Sequence, residues 1–387
     1  MNSVTRLFRD FFVSLQLTVA LLILSLILVF VATLDQVNLG IWAVQEKYFR
    51  SFFVMWQAPG SGIVLPIFPG GYFIGTLLLC NLVAAHIYRF QLTWKKLGIQ
   101  LAHAGIILLL IGELLTGLLQ QDSYMRLDTG ETKSFSESQR SMEVAILDQT
   151  NPEFDEVVAI PEGLIAEKGL VQHSKLPFRL RVHGYYPNAT LQRREQAPGA
   201  APTLATTGIG AQVALIPLPI TYKTDERNLP AAYVEVLGLE GSLGIWLLSP
   251  ALGMPQTFTY QNRNFQLLMR SARHYKPFTV QLLKFTHDKY PGTQIPKNFA
   301  SRVRVKSADS HTDREVLIFM NNPLRFGGYT FYQSGFDNND MTSILQVVRN
   351  PGWLIPYISC IMMGLGLCIQ FGFHLTGFIR KRSAAVT

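Results

Sequence analysis

The run at residues 97–119 decides the fold, and it reads LGIQLAHAGIILLLIGELLTGLL. It contains one acidic residue, Glu113, and no lysine or arginine. At ~1.5 Å per residue a helix of this length reaches about 35 Å, which is enough to cross a hydrocarbon layer ~30 Å thick. We therefore expect a transmembrane helix here, and the other segments are placed relative to it.

Three further apolar runs occur, at residues 11–34, 71–88 and 352–379, and none carries a charged residue. The chain is 48% hydrophobic and only 16% charged, below the roughly 25% charged content of soluble proteins. A cleavable signal peptide is the alternative for 11–34, but that run is too long and lacks a small-residue cleavage site. A buried helix of a soluble core is the alternative for the short run 71–88. The pattern predicts four transmembrane helices.

Basic residues indicate the orientation of these helices, because loops rich in lysine and arginine stay on the cytoplasmic side. They collect before the first run, between the second and third, and after the fourth: Arg6, Arg9, Arg89, Lys95, Lys96, Arg380, Lys381 and Arg382. The three groups share one side only if all four runs cross the membrane. We therefore expect both termini in the cytoplasm and the segments 35–70 and 120–350 outside it.

Beyond residue 124 the hydrophobic pattern changes from helical to alternating, with turn residues between short runs. This alternation predicts a large extracytoplasmic β-rich domain, sandwich-like, between the third and fourth helices. Candidate strands are 124–128, 141–148, 178–186, 211–216, 232–237, 244–248, 256–260, 264–270, 278–286, 301–306, 314–320, 329–333 and 343–348. The expected layout is a membrane region 1–119, the β-rich domain 120–350, and a last helix with a basic tail, 351–387.

Two patterns outside the apolar runs allow more than one interpretation. The loop 35–70 is dense in aromatic residues, which favours either a position at the lipid headgroups or a covering loop. Leu176-Pro177-Phe178 is echoed by Lys276-Pro277-Phe278, through duplicated half-domains or through chance. Both alternatives stay open at this point.

Composition excludes several classes of function. The net charge of +8 is accounted for by the eight basic residues beside the apolar runs, so we expect a lipid bilayer and no nucleic acid as partner. The cysteines Cys80, Cys360 and Cys368 all fall in apolar runs, so the β-rich domain has neither a disulfide nor a thiol. That domain also shows no phosphate loop, nucleophile elbow or metal-ligand spacing. We therefore expect no catalytic residue in this chain.

Three histidines occur within the apolar runs, namely His86, His103 and His374. Each lies near the expected cytoplasmic end of its helix, where Arg and Lys are close in sequence. Ionisable groups at membrane depth are costly and are usually retained for a site, and neutral imidazole is a common ligand of haem iron. A shared site is one interpretation, with His103 and His374 ahead of His86. The alternative is that each imidazole only hydrogen-bonds a neighbouring helix.

Two further features of the third run concern helix contacts. Glu113 lies toward its outer end, and it is either protonated or paired with a basic group of a partner. Gly105, Gly112 and Thr116 form a stripe of small residues at spacings of 7 and 4. Such a stripe predicts close packing against another helix.

The last third of the chain contains FMNNPLRFGGYTFYQSGF at 319–336, preceded by Tyr290-Pro-Gly-Thr and followed by Asn350-Pro-Gly. These motifs resemble those of the ResB-type proteins of cytochrome c biogenesis. Ser14-Leu-Gln-Leu-Thr opening the first run and Leu101-Ala-His-Ala-Gly in the third agree with the same family. The resemblance covers essentially the whole chain.

This resemblance implies a subunit of the System II pathway in the bacterial cytoplasmic (inner) membrane, with the large domain on the periplasmic or extracellular side. There a ResB-type and a CcsA-type protein together carry haem b across the membrane and present it for attachment to apocytochrome c. It also implies that His103 and His374 are associated with the haem iron. The tryptophan-rich segment of the CcsA-type partner is absent, so the partner is expected to be a separate chain. The chain would then be a non-autonomous subunit of a cytochrome c haem lyase (synthetase) complex.

Two rival functions stay open. The first is a membrane scaffold that binds no haem and only stabilises the CcsA-type partner. The second is an electron carrier of cytochrome b type, which requires two haems stacked across the bilayer. The clustering of the histidines at one end argues against the second rival.

Overall fold

The computed structural model describes residues 3–57, 63–90, 93–221, 227–293, 296–309, 311–337 and 341–384. Residues 58–62, part of the expected aromatic loop, and the end of the basic tail, 385–387, lie outside the described residues. The chain divides into two compact units, one formed by 1–121 with 349–387 and the other by 122–348. Each unit is described separately below.

The first unit contains the long helices. Within the described residues four helices are long and apolar enough to cross a membrane, so the chain is a membrane protein by length and composition. The helices of the whole chain are α1 Ser3–Phe12, α2 Leu15–Val44, α3 Gly71–Tyr88, α4 Leu97–Leu119, α5 Glu162–Ala166 and α6 Ile355–Ala384. Of these, only the short α5 belongs to the second unit.

The first long helix begins later and ends later than the expected span 11–34. Ser14 has an extended backbone, and its hydroxyl accepts a hydrogen bond from Gln16 N at 3.1 Å, so it caps α2 and separates it from α1. Beyond residue 34 the helix continues to Val44 with a kink at Gly40, whose φ of 78° suits glycine. The polar residue Asp35 is tolerated there because Lys47 and Tyr48 fold back onto its carboxylate, at 2.7 and 2.9 Å.

The aromatic segment is more regular than a loop. Strands β1 Phe53–Gln57 and β2 Val64–Pro69 form an antiparallel hairpin in which most apolar side chains, including Phe53 and Trp56, are exposed. Aromatic and β-branched residues favour such strands, and the sequence reading missed them because Gly and Pro between them are typical of loops. Val54 of β1 packs against Val44 of α2 and Tyr48 of the turn that follows α2, and these three side chains belong to one small core.

The second unit is β-rich, as expected. Its strands are β3 Gln121–Asp128, β4 Thr132–Asp148, β5 Glu156–Pro161, β6 Leu170–Val171, β7 Arg179–Tyr186, β8 Ala189–Arg193, β9 Val213–Pro217, β10 Ala231–Gly238, β11 Gly241–Leu248, β12 Gln256–Tyr260, β13 Arg263–Lys289, β14 Pro296–Ser307, β15 Thr312–Phe319, β16 Leu324–Phe326, β17 Tyr329–Asp337 and β18 Thr342–Arg349. The sequence pattern missed β5, β6, β8, β16 and the first half of β4, which are short or polar and show little alternation.

Two sheets and two hydrophobic cores organise this unit. A ten-stranded sheet runs β15-β14-β13-β4-β3-β18-β17-β16, with β12 and β5 added beside β13 and β4, and a four-stranded sheet runs β11-β10-β7-β6. The first core lies between the two sheets and includes Phe178, Trp246 and Phe265, which is the expected sandwich. The second core includes Phe278 and Phe331 and lies where the large sheet curves until β15 contacts β16 and β17.

The strand β13 belongs to both cores. The sequence predicted two strands, 264–270 and 278–286, but the structure has one strand of 27 residues. Its pairing with β4 shifts register between Tyr275 and Val280, around Pro277, which has no N–H to donate. The Pro-Phe echo noted above thus supplies one buried phenylalanine to each core, Phe178 and Phe278, and the duplication stays a hypothesis.

Candidate functional site

The helices α4 and α6 pack closely and antiparallel because α4 presents glycine every seventh residue. A Cβ atom added at Gly98, Gly105 or Gly112 would lie only 2.6–2.7 Å from atoms of α6. The contacted atoms belong to Gly366 near Gly98, to Met363 near Gly105 and to Ile355 near Gly112. The predicted packing of the small-residue stripe is confirmed, and its partner is the last helix.

A buried amide holds α3 against the break between α1 and α2. The Asn81 side chain is 2% exposed, and its amide nitrogen donates to the carbonyls of Phe12 and Ser14 at 2.7 and 3.1 Å. Its amide oxygen accepts from the Thr18 hydroxyl at 2.6 Å. One turn beyond His86, Arg89 also donates to the carbonyl of Val13 at 2.8 Å. These bonds satisfy the Phe12 and Val13 carbonyls, which lie where α1 ends, and they fix the segment of α3 that carries His86.

His103 adopts a geometry that leaves one ring nitrogen available. Its Nδ1 lies 2.8 Å from the carbonyl oxygen of Ile99, which only accepts, so Nδ1 carries the proton. The Nε2 lone pair then has no hydrogen-bond partner among the residues that the structure describes, and the side chain is exposed at the surface of the unit. Metal-binding histidines commonly donate their other N–H to a carbonyl in this way. The hydrogen bond to its own helix thus orients the His103 ring so that Nε2 can bind a metal ion.

Helix geometry indicates that His86 on α3 and His103 on α4 lie at similar heights. Near the other end of these helices a Cβ atom on Gly117 of α4 would lie 3.7 Å from the Tyr72 hydroxyl of α3. From that contact His86 and His103 are each fourteen residues away along their antiparallel helices. Fourteen residues are close to four turns, or about 21 Å, so the same faces of α3 and α4 return at the same height.

His374 lies at a different height. Gly98 contacts Gln370, so His374 lies roughly 15 Å along the bundle axis from the level of His103, toward the end with the basic residues. The Gln370 amide nitrogen lies 2.9 Å from His374 Nε2 and donates to it. That bond occupies the lone pair that a metal would need at this nitrogen. The prediction that His374 and His103 share a haem stays a prediction.

Within the residues that the structure describes, no group of three His, Cys, Asp or Glu side chains is placed to hold a metal ion. The histidines of the second unit have local roles instead: His183 Nε2 lies 2.8 Å from a Glu235 oxygen, His311 Nδ1 lies 2.8 Å from the Ala308 carbonyl, and the His287 ring lies 4.4 Å from that of Phe336.

The sequence reading missed a buried lysine in the β-rich unit. Lys276 is 6% exposed, and its ammonium donates to the Ser136 hydroxyl at 2.5 Å and to the His274 carbonyl at 3.0 Å. The Tyr329 ring lies 4.7 Å from the same nitrogen. Burial lowers the pKa of Lys276 to about 8. The sequence held no signal for this, because a lysine next to a proline is usually exposed.

Comparison with known proteins agrees with the motifs in the last third of the chain. The ResB-like family matches residues 253–344, which run from the turn before β12 into β18 and contribute most of the second core. The protein NrfI of Wolinella succinogenes is 23% identical over 311 residues, which cover 76% of this chain and 29% of NrfI. The chain therefore spans less than a third of the length of this relative.

The matched segment 253–344 contains the motif at 319–336. The longer alignment with NrfI extends the similarity over most of the chain. Four apolar helices and one large β-rich unit fit the architecture that the resemblance implied. Residues 253–344 match the ResB-like family, and the chain is similar to the ResB-type proteins of cytochrome c biogenesis.

Proposed function

We propose that this chain is a haem-handling membrane subunit of the System II cytochrome c assembly machine. With a CcsA-type partner it carries haem b across the bacterial cytoplasmic membrane and presents it for covalent attachment to apocytochrome c. Its long helices cross the membrane, both termini lie in the cytoplasm, and the β-rich unit lies on the periplasmic or extracellular side.

One observation carries this proposal, namely the geometry of His103. Its Nδ1–H is held by the Ile99 carbonyl, and its Nε2 has no partner among the described residues. The ring is exposed on a helix that is apolar enough to cross a membrane. Extrapolation along the two helices puts a second imidazole, His86, at a similar height on α3. Because imidazole is the commonest side-chain ligand of haem iron, this pair favours haem as the cargo.

The charges at the same end of the bundle support an anionic cargo. Arg89 and Lys95 flank the turn between α3 and α4, and Arg380 follows His374 by six residues on α6. Haem propionates are carboxylates, and arginine binds carboxylates through paired N–H donors. We assign His374 to this entry side rather than to the level of His103, since its height differs from that of His103 by about 15 Å.

No residue of this chain needs to form a bond in the proposed reaction. Addition of cysteine thiols to the haem vinyl groups requires above all that both reactants are held in position. The chain then acts as a non-autonomous part of a haem lyase, in which the β-rich unit docks the CcsA-type partner or the apocytochrome. The length of NrfI, of which this chain covers 29%, is compatible with further domains in such an assembly.

The test is the visible spectrum of the full chain purified with its CcsA-type partner. We expect a Soret band that falls by more than half in His103→Ala and in His86→Ala. His311→Ala is the matched control, because that imidazole bonds the carbonyl of its own turn in the β-rich unit. Reporter fusions within 122–348 should be active only outside the cytoplasm.

A scaffold without haem is the second candidate. It is favoured by the tight glycine packing of α4 on α6, which serves assembly whether or not haem binds. A colourless chain that still co-purifies with the partner, unchanged by the histidine substitutions, would establish the scaffold and exclude the haem proposal.

A further inference from the structure

The helical unit contains a cavity that the histidines do not use. It measures about 550 Å³ and lies among α2, α3 and α4, at the end of the bundle opposite His86 and His103. Binding sites for small molecules typically enclose ~300–1,000 Å³ and are mostly apolar with a few polar groups. The size and position of this cavity thus match those of a small-molecule site between the helices of a bundle.

The cavity is lined by both apolar and polar residues, and the polar ones come from three helices. Leu79, Leu110 and Val44 are among the apolar residues that line it. The polar groups include Gln36 from α2, Thr76 from α3 and Glu113 from α4. A lipid tail has its polar group at one end only, so it matches this distribution poorly. A flat ring with polar substituents on more than one edge matches it better.

Glu113 is the group that sets the chemistry of the site. Its carboxylate makes no hydrogen bond or ion pair with any other described residue, although it lies on a membrane-spanning helix, where an acid costs ~2.5–3.5 kcal/mol. The arginine at the cavity, Arg50, is already paired with Glu46 at 2.8 Å. The Glu113 carboxylate is therefore an acceptor that no described residue bonds, and it suits a ligand that donates hydrogen bonds better than an anion such as haem.

We propose that this cavity binds a membrane-soluble quinol, with one ring hydroxyl donating a hydrogen bond to the Glu113 carboxylate. The apolar walls receive the ring and the start of its isoprenoid chain, and the side-chain amide and hydroxyls of the other helices meet the second edge of the ring. The binding is independent of haem, so the site goes beyond the proposed function.

A glycine offers a means to close the site without distorting the helices. Gly75 lines the cavity, and a Cβ atom added there meets no other atom within 4 Å. Gly75→Phe should therefore place its ring in the empty volume. Gly364→Phe is the matched control, since Gly364 lies on the exposed surface of α6 and has equally free space.

The experiment uses the full chain in lipid nanodiscs with decylubiquinol as the probe. Bound quinol is measured by native mass spectrometry, and a photoreactive azidoquinone is used to map the contact by peptide sequencing. We expect labelling within 71–79 or 110–117, at least tenfold weaker binding in Glu113→Gln, and no binding in Gly75→Phe. Gly364→Phe should bind like the original chain. The Gln variant keeps the shape of the side chain but removes the charge-assisted hydrogen bond.

Three outcomes would overturn the proposal. Equal binding of the dimethyl ether of the quinol would show that no hydroxyl is recognised. Retention of quinol by Gly75→Phe would place it elsewhere. A retained phospholipid or haem that decylubiquinol does not displace would show that the cavity serves another ligand. Each result is independent of the Soret band of the histidine variants, so failure here leaves the haem proposal standing.

Discussion

Replacing Lys276 by methionine should stabilise the β-rich unit, and the gain should depend on pH. The ammonium of Lys276 is buried in the unit, and no carboxylate accepts a hydrogen bond from it among the described residues. Burial disfavours the charged form, which lowers the pKa from 10.5 to about 8. A pKa that is lowered on folding means that the folded state is penalised whenever the lysine is charged.

The expected gain in stability follows from the pKa values of Lys276 in the unfolded and folded states. The difference between 10.5 and about 8 corresponds to an upper limit of about 3 kcal/mol at ~1.36 kcal/mol per pH unit. The ammonium keeps two hydrogen bonds and the face of Tyr329, which a methionine gives up, so we expect a net gain of about 1–2 kcal/mol. Ser136 is not left unpaired in the variant, because its hydroxyl also bonds Ser123 at 2.8 Å.

The sign of the pH dependence is determined by which state holds the proton. Below pH 8 the folded and unfolded chains both carry it, and the folded state bears the full cost of the buried charge. Between pH 8 and 10.5 only the unfolded chain holds it, so the free energy of unfolding of the original chain rises with pH. The advantage of Lys276→Met should therefore shrink from pH 7 to pH 9.5.

The assay is urea unfolding of the full chain in detergent, followed by near-ultraviolet circular dichroism at pH 7 and pH 9.5. Lys284→Met is the control, because Lys284 lies on the same strand but is exposed. If Lys276→Met is no more stable than this control at pH 7, or if its advantage persists at pH 9.5, the buried-charge reasoning is wrong.

Three further predictions concern packing and buried polar groups. Gly98→Ala should destabilise the helical unit by about 1–3 kcal/mol in SDS titration, because its Cβ would lie 2.6 Å from a backbone oxygen of α6, whereas Gly364→Ala should be neutral or stabilising. Asn81→Leu should lower the stability of the helical unit by about 1–2 kcal/mol in the same titration, since three hydrogen bonds at the α1–α2 break are lost. An unchanged titration midpoint would refute the role of these bonds. In the β-rich unit, Glu143→Gln should lower the free energy of unfolding by about 3–5 kcal/mol in urea titration. The substitution removes the carboxylate that lies 2.9 Å from the nearly buried Arg270 guanidinium. Replacing both residues by apolar ones should recover much of this loss.

The amino-acid sequence alone determined the features that depend on local periodicity. The apolar runs predicted four long helices, because a span needs only about 20 uninterrupted apolar residues. Alternation predicted strands such as 256–260, which the structure has with the same bounds. The glycine spacing on α4 predicted a helix contact, and the motif at 319–336 indicated the family before any comparison. Each of these signals lies within one short stretch of chain.

Only the tertiary structure decided which distant segments meet. The tertiary structure set the contact of α4 with α6, the different heights of His103 and His374, the burial of Lys276 and the cavity beside Glu113. All of these depend on the register between segments far apart in sequence. A local pattern shows which face of an element is apolar but not which element covers it, nor at what height. That is why the sequence grouped His103 with His374, although the packing of α4 on α6 puts these two histidines at different heights.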